Sequence, residues 1–256
     1  MLESLWGKLT KYLSTTWIYI LYNKWFWKPK KGSLEEVIHR YTLNKKAVSF
    51  VQIGANDGYH NDPLYRFIRA FNWRGVLVEP QVHVFERLKG NHAGVEGLYF
   101  ENAAISSDDL NLPFYSISFS NARWATGLSS FDKNHILQHI EKGYVQKWAA
   151  REGVETPENI DDWIHSTNVK SINFDSLIKK HSIENVDAIF LDCEGFDEKI
   201  LCSIDIDKYS PCLIFFEYFH FTDESLIKLN NEFRKKGYSI IKDHMDVLAY
   251  KNAPQN

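Results

Sequence analysis

Short apolar runs recur along this chain, and each ends in small or polar residues. Runs of this kind, bounded by turn residues, are typical of buried β-strands. They predict strands at residues 48–53, 75–79, 98–105, 186–191 and 212–217, a hairpin strand at 112–118 and a closing antiparallel pair at 239–241 and 247–251.

Between these runs, apolar residues repeat at helical spacing. Pro63, preceded by Asn61 or Asp62 as N-cap, marks the start of one helix. Strands that alternate with helices and end in a hairpin predict an α/β fold: a doubly wound, Rossmann-like sheet, mostly parallel, with a C-terminal antiparallel hairpin. The predicted helices lie at residues 34–43, 61–71, 82–91, 136–150, 174–181, 197–203 and 224–236.

Residues 119–170 interrupt this alternation and are predicted to be a helical insertion. The segment contains Trp124, Trp148 and Trp163. An insertion between two α/β halves forms a lid or a wall of the substrate site; the alternative is a decoration unrelated to substrate. We therefore divide the chain into an amphipathic, aromatic and basic N-terminal helical segment at residues 1–44 and a main domain at residues 45–256.

The N-terminal segment has the composition of an interfacial helix. Aromatic and aliphatic residues recur at helical spacing, and residues 1–31 hold six lysines against one acid, Glu3. Asn23 and Lys24 interrupt the apolar run, so it is too short to span a bilayer. Two interpretations remain open: peripheral membrane contact, or packing on the domain or on a second copy of the chain.

Composition excludes some classes of partner. The chain has 256 residues and a net charge of −3, so no global basic field indicates a nucleic-acid substrate. Cys193, Cys202 and Cys212 show no CxxC spacing, and we expect buried, reduced thiols. No secretory signal is visible. We expect a cytoplasmic protein that is peripheral to a membrane if residues 1–31 bind lipid, and a homo-oligomer is an open alternative.

The turn after the first predicted strand, residues 54–58 (GANDG), indicates a cofactor site. Gly54 and Gly58 let the backbone turn tightly and approach a ligand. Glu79 ends the next strand, roughly 20 residues on, where nucleoside sites place an acid on the ribose hydroxyls. This is not the GxGxxG turn that supports a pyrophosphate, and Asp57 and Asp62 would repel one. A sulfonium and an ammonium suit these acids, which favours S-adenosylmethionine. The alternative is a turn that serves only strand packing.

Five motifs carry a family resemblance, and they span roughly residues 45–251. The chain resembles the FkbM-type S-adenosylmethionine-dependent methyltransferases, which implies a methyltransferase sheet and that cofactor. The resemblance leaves the substrate open, because the family methylates hydroxyls on diverse sugars and natural products. The motifs are FVQIGANDG (50–58), VLVEP (76–80), ENAAIS (101–106), INFDSL (172–177) and DAIFLDCEGFDEKIL (187–201).

The resemblance also implies cofactor-binding roles. The loop residues lie under the methionine part, Glu79 accepts hydrogen bonds from the ribose, and Asn102 and Ala103 meet the adenine edge. Gln52 stands where many methyltransferases have an acid, so Asp57 or Asp192 is expected to hold the ammonium. The implied cofactor-binding set is Gln52, Gly54, Asn56, Asp57, Gly58, Glu79, Asn102, Ala103 and Asp192.

Three residues are candidates for catalysis: Asp192, Glu194 and His220. Asp192 ends a strand at the edge that faces ligands, and its carboxylate could bind the ammonium, orient an acceptor hydroxyl or ligate a metal. Glu194 faces the same side of an extended segment, so the two acids are a candidate divalent-metal site; alternatively Glu194 caps the next helix. The proton acceptor is expected to be His220 or Asp192.

Other histidines and two serines are weaker candidates. His135 and His139 are four residues apart on a predicted helix, a spacing that suits metal ligands, but no third ligand is evident and packing or a solvated face explains them. Ser129 and Ser130 lack a base at fixed spacing; they are candidates for hydrogen bonds to the acceptor.

The leading functional hypothesis is an O-methyltransferase that acts on a sugar hydroxyl of a glycan or glycoconjugate. The motifs, the modest net charge and the tryptophan-rich insertion favour it. Two alternatives remain: a methyltransferase for a small natural product, and a non-catalytic, membrane-associated scaffold that retains the fold.

Overall fold

The computed structural model describes residues 11–107 and 111–251. The strands are β1 Val48–Ile53, β2 Trp73–Val78, β3 Leu98–Glu101, β4 Ala104–Ile105, β5 Asn111–Ile117, β6 Ile164–Ile172, β7 Ala188–Leu191, β8 Leu213–Glu217, β9 Ser239–Asp243 and β10 Asp246–Tyr250. The helices are α1 Trp17–Trp25, α2 Leu34–Leu43, α3 Tyr65–Ala70, α4 Val82–Asn91, α5 Arg123–Thr126, α6 Lys133–Glu141, α7 Tyr144–Glu152, α8 Phe174–Lys180, α9 Asp197–Ser203, α10 Ile206–Tyr209 and α11 Asp223–Lys235, with a 3-10 turn at Ile160–Trp163.

The central sheet has seven strands in the order β3-β2-β1-β7-β8-β10-β9. The first five are parallel to their neighbours, and β10 runs antiparallel to both β8 and β9. The predicted α/β fold with its closing hairpin is therefore confirmed. Because β1, β2, β7 and β8 are parallel, their carboxyl ends meet at one edge of the sheet.

The apolar runs are continuous because both faces of the sheet are covered. Val51 and Ile53 of β1 pack into a core on one face. Phe50, one residue before Val51, packs into a second core on the other face, as the two-residue period of a strand requires. Helix α2 adds Val37 and Ile38 to this second core.

The predicted third strand, residues 98–105, is two strands in different sheets. β3 pairs with β2 in the main sheet, whereas β4 pairs with β6 in a second sheet of order β4-β6-β5. Asn102 lies at the break, and its side-chain amide donates to the carbonyl oxygens of Glu79 (2.8 Å) and Pro80 (3.1 Å). These contacts turn the chain, so the prediction of a single strand was wrong.

The insertion also differs from the prediction. Its last part forms β6, which pairs antiparallel with β5; β5 is therefore not half of a local hairpin. The predicted helix at 136–150 is two helices, α6 and α7, because Gly143 between them adopts a φ of +73°. Trp124 and Trp163 are buried in a core of the insertion itself.

Two smaller predictions need correction. The helix predicted at 61–71 begins at Tyr65, because Asn61 has a φ of +54° and cannot continue a right-handed helix. The three cysteines are free, but Cys202 is exposed, and Cys193 and Cys212 are only partly buried. Burial of these thiols was expected because apolar residues flank them in the sequence. Cys202 instead lies on the solvent-exposed side of α9.

Helix α1 lies against α3. The rings of Tyr19 and Tyr65 are 6.3 Å apart, and Nη1 of Arg66 donates to the side-chain oxygen of buried Asn23 at 2.7 Å. Within the described residues, no helix combines the length and apolar character that crossing a bilayer requires.

Candidate active site

A cavity of about 500 Å³ opens at the carboxyl ends of β1, β2, β7 and β8. Its volume lies within the usual range for small-molecule sites. The cavity is lined by seven of the predicted site residues: Gln52, Gly54, Asn56, Glu79, Ala103, Asp192 and Glu194. Four others lie outside its lining: Asp57, Gly58, Asn102 and His220.

Gly54 allows two strand ends to meet at the cavity. Its φ is +76°, and a Cβ there would lie 2.0 Å from the backbone oxygen of Asp192. The amides of Gly54 and Ala55 both donate to the carbonyl oxygen of Val78 at 3.0 Å. Glycine is required here because any side chain would separate the ends of β1 and β7.

Glu79 connects the loop after β1 to the end of β2. It is 3% exposed, and its two carboxylate oxygens accept hydrogen bonds from the amides of Asn56 (3.0 Å) and Gln81 (2.9 Å). Burial raises the pKa of Glu79 to about 7, although these hydrogen bonds oppose the shift. A carboxylate held in this way has lone pairs left to accept from ligand hydroxyls.

Asp57 stabilises the loop after β1 through hydrogen bonds within the loop. One of its oxygens accepts from the amides of Tyr59 (3.1 Å) and His60 (3.0 Å), and the other contacts Nδ1 of His60 at 2.6 Å. Burial acts to raise the pKa of Asp57, but the hydrogen bonds from His60 lower it below its ordinary value. A Cβ on Gly58 would lie 2.3 Å from Leu88, so this glycine serves packing against α4.

Gln52 presents an unsatisfied polar atom at the cavity. Its Nε2 donates to a carboxylate oxygen of Asp62 at 3.2 Å, while its buried Oε1 has no hydrogen-bond partner among the described residues. Burial raises the pKa of Asp62 to about 6. Both residues line the cavity, and together they offer a cation one amide oxygen and one carboxylate. In the sequence, Asp62 was considered as a helix N-cap and, with Asp57, as an acid that would repel a pyrophosphate and suit a cation, but it was not included in the predicted cofactor-binding set.

Asp192 directly follows β7 and lines the open cavity, where its side chain is exposed to solvent although protein atoms surround it on the other sides. Burial raises the pKa of Asp192, and the positive charge of Arg123 lowers it again in part. Arg123, at the start of α5, also donates to the carbonyl oxygen of His60 at 2.7 Å. The insertion therefore supplies a cation whose charge acts on Asp192 and Glu194, and nothing in the local sequence distinguished this arginine.

Further acids crowd this edge of the sheet. Glu217 ends β8 and Asp246 begins β10, and both line the cavity. Burial, followed by the charges of Asp192 and Asp197, raises the pKa of Glu217 to about 8. Burial likewise raises the pKa of Asp246 to about 6. Sequence reasoning missed both, although Glu217 follows an apolar run in the same way as Glu79 and Asp192.

Glu194 meets two histidines that the sequence did not connect. One of its carboxylate oxygens lies 3.5 Å from Nε2 of His135, and the ring of His135 is 4.8 Å from that of His220. Burial, followed by the charge of Asp192, raises the pKa of Glu194 well above its ordinary value. Its backbone is held by the hydroxyl of Ser130, which donates to its carbonyl oxygen at 2.8 Å.

Gln81, in the loop after β2, connects the insertion to the main domain. Its side chain donates to the carbonyl oxygen of Thr126 at 3.0 Å and accepts from the hydroxyl of Ser129 at 3.0 Å. Ser129 and Ser130 are thus both engaged within the protein, on Gln81 and Glu194. Phe114 and Phe131 also line the cavity, so its wall combines polar and aromatic side chains.

The parallel sheet, the glycine turn at the end of β1 and the strand-end acids define a methyltransferase-type α/β protein. A family model described as the methyltransferase FkbM domain matches residues 52–240. The chain belongs to this family of S-adenosylmethionine-dependent methyltransferases. Among curated proteins, none matches the sequence.

The chain is also similar to several solved structures. The methyltransferase FkbM of Methylobacillus flagellatus KT is 12% identical with a TM-score of 0.48, and the match covers 80% of this chain and 44% of that one. The precorrin-6y C5,15-methyltransferase of Geobacter metallireducens GS-15 is 13% identical (TM-score 0.36; 88% and 94% covered). The fibrillarin of Aeropyrum pernix, with natively bound S-adenosyl-L-methionine, is 10% identical (TM-score 0.39; 83% and 74% covered).

We predict that the ligand-free protein becomes less stable as the pH rises from about 6.5 to about 8.5. The folded-state pKa values of Glu79 (about 7) and Glu217 (about 8) exceed their unfolded values. The folded state therefore binds more protons in this window, and its stability is lost as the pH rises through those values. Histidines with lowered pKa values, such as His92 (about 4), act in the opposite sense at the lower end of the window, where the unfolded imidazole still binds protons, and this contribution fades above about pH 7.

The measurement is the thermal unfolding midpoint by circular dichroism, without ligand. Replacement of Glu217 by glutamine (Glu217→Gln) should flatten the slope. A midpoint that is constant or rises across the window would contradict the prediction.

Proposed function

We propose that this methyltransferase transfers a methyl group to a sugar hydroxyl of a glycan or glycoconjugate. The observation that carries the proposal is the lining of the cavity, which combines the carboxylates of Glu79, Asp192, Glu217 and Asp246 with phenylalanine side chains. Carboxylates accept hydrogen bonds from hydroxyls, and the aromatic faces offer an apolar surface to a sugar ring. The same acids would repel phosphates, which disfavours a nucleic-acid acceptor.

The residues at the cavity fit S-adenosylmethionine. Gln52 Oε1, buried and without a partner, and the Asp62 carboxylate would hold the ammonium. The Gly54 turn would let the backbone lie against the methionine part, Glu79 would accept from the ribose hydroxyls, and Ala103 would contact the adenine. When bound, the cofactor supplies a methyl group that is already activated.

The protein's own chemical task is then alignment and removal of a proton. Asp192 is the best placed acceptor of the hydroxyl proton, because its carboxylate faces the cavity at the end of β7. A raised pKa brings a carboxyl closer to the operating pH of a general base. His220, outside the cavity lining, is less well placed for this role.

One prediction of this proposal concerns binding of the cofactor. Glu79→Gln should weaken S-adenosylmethionine binding by about 10–100-fold, because hydrogen bonds to a charged group contribute roughly 1.5–3 kcal/mol. Isothermal titration calorimetry measures the loss. The matched control is Glu101→Gln, another buried strand-end acid, which pairs with Lys180 and His181 outside the cavity. An unchanged Kd for folded Glu79→Gln would refute the ribose assignment.

The second prediction concerns the acceptor. With radiolabelled S-adenosylmethionine, neutral glycans should become labelled in preference to small hydroxylated natural products or RNA. Asp192→Asn should lower kcat by about 10²–10⁴-fold, the usual contribution of general-base catalysis. Label that appears only on natural products would favour that alternative. Label on RNA, or full activity of Asp192→Asn, would refute the proposal.

We also propose that α1 brings the enzyme to an anionic lipid surface. Trp17, Trp25 and Phe26 are 68%, 71% and 75% exposed although α1 already packs on α3. Residues 11–31 carry five lysines and no acid. An exposed aromatic face bordered by lysines suits an anionic interface.

The lipid proposal is tested by vesicle co-sedimentation. The protein should bind vesicles that contain phosphatidylserine, less at high salt, and the Trp25→Ser/Phe26→Ser variant should not bind. Ile227→Ser, on the exposed side of α11, is the matched control and should bind normally. Equal binding of the variant and the wild type, or self-association in place of vesicle binding, would contradict the proposal.

A further inference from the structure

His135, Glu194 and His220 bring their ligating atoms together at the border of the cavity. One ligating atom from each residue lies within 4.8 Å of the others. They come from three separate parts of the fold: α6 of the insertion, the loop after β7 and the loop after β8. Glu194 also lines the cavity.

His135 is the unusual member of the group. It is 5% exposed, and neither of its ring nitrogens has a hydrogen-bond partner among the described residues. A buried imidazole without partners is unfavourable unless a ligand completes it. Burial, followed by the charges of His220 and His139, lowers the pKa of His135 to about 4.

The electrostatic surroundings favour a cation beside Glu194. Asp192, Glu217 and Asp197 all act on its carboxylate with like charge. Arg123 acts on Glu194 with opposite charge, and Lys142 is a further cation near the histidines, where Asp132 offsets it. In addition, Glu194 has a φ of +46°, which is costly for a residue other than glycine and is found mostly at functional sites.

We propose that His135, Glu194 and His220 bind one divalent transition-metal ion of the zinc class. Two imidazoles and a carboxylate suit zinc rather than magnesium or calcium, which prefer oxygen ligands. Two ligands at about 2.0–2.1 Å from a tetrahedral ion lie about 3.4 Å apart, and the His135 Nε2 to Glu194 Oε2 distance is 3.5 Å.

The ion would join the insertion to the strand ends at the edge of the cavity. Three protein ligands leave one coordination position open, as in catalytic zinc sites. The role of that position toward an acceptor oxygen rests on the proposed function, whereas the binding of the ion does not.

The test uses the full chain, treated with a chelator, dialysed and titrated with Zn²⁺ or Co²⁺ in the absence of cofactor and acceptor. We expect one equivalent to bind, the visible spectrum of four-coordinate Co²⁺, and a higher unfolding midpoint with Zn²⁺. His220→Ala should weaken binding by about 100-fold or more, since even the loss of an outer partner of a ligand costs about 10–100-fold. Mg²⁺ should not compete.

His139→Ala is the matched control. This histidine lies on the same helix with its ring 4.8 Å from that of His135, but it is outside the group of three, and its loss should leave affinity unchanged. His135→Ala should also abolish binding if it folds; the accessible His220 variant decides the outcome if it does not. Absence of stoichiometric binding, or equal effects of His220→Ala and His139→Ala, would overturn the proposal. The presence or absence of metal binding in this test does not depend on methyl transfer.

Discussion

The carboxylates that converge where the parallel strands β2, β7 and β8 end impose the main constraint on this structure. Side by side in a low-dielectric setting, they cannot all carry charge without compensation. A different local interaction compensates the negative charge of each acid. Glu79 accepts two backbone amides, and Asp197 accepts the amide of Cys193 at 3.1 Å. Asp192 has the charge of Arg123 nearby, and Glu194 faces His135.

This constraint also explains which ligands suit the cavity. A cofactor with a sulfonium and an ammonium reduces the repulsion among the acids, whereas a pyrophosphate would add to it. In the proposed binding mode, the buried acceptor of Gln52 and the carboxylate of Asp62 would together hold the ammonium of the cofactor. The same reasoning favours a neutral acceptor rich in hydroxyls over an anionic one.

The sequence predicted the central sheet well because its strands are apolar on both faces and end abruptly in glycine or acid. Gly54, Glu79 and Asp192 were accessible to prediction for the same reason, since each directly follows such a run. Asp57 shows the limit of this reasoning: whether an acid in a turn faces a ligand or its own backbone depends on dihedral angles that residue types do not specify. The break at Asn102 is similar, because the amide that causes it binds carbonyls more than 20 residues away.

The insertion could be located in the sequence, but its contribution to the site could not. Its tryptophans suggested a wall for a sugar, yet Trp124 and Trp163 pack in a core of the insertion itself. That core gives the insertion a fixed shape, and other residues of the insertion interact with groups that line the cavity. The charge of Arg123 acts on Asp192, and Thr126 and Ser129 form hydrogen bonds with Gln81. Since Gln81 also donates to Glu79, the insertion and the acid that we propose for the ribose share one hydrogen-bond network. A change in the position of the insertion would therefore alter the surroundings of Glu79 as well as the wall that the insertion itself provides.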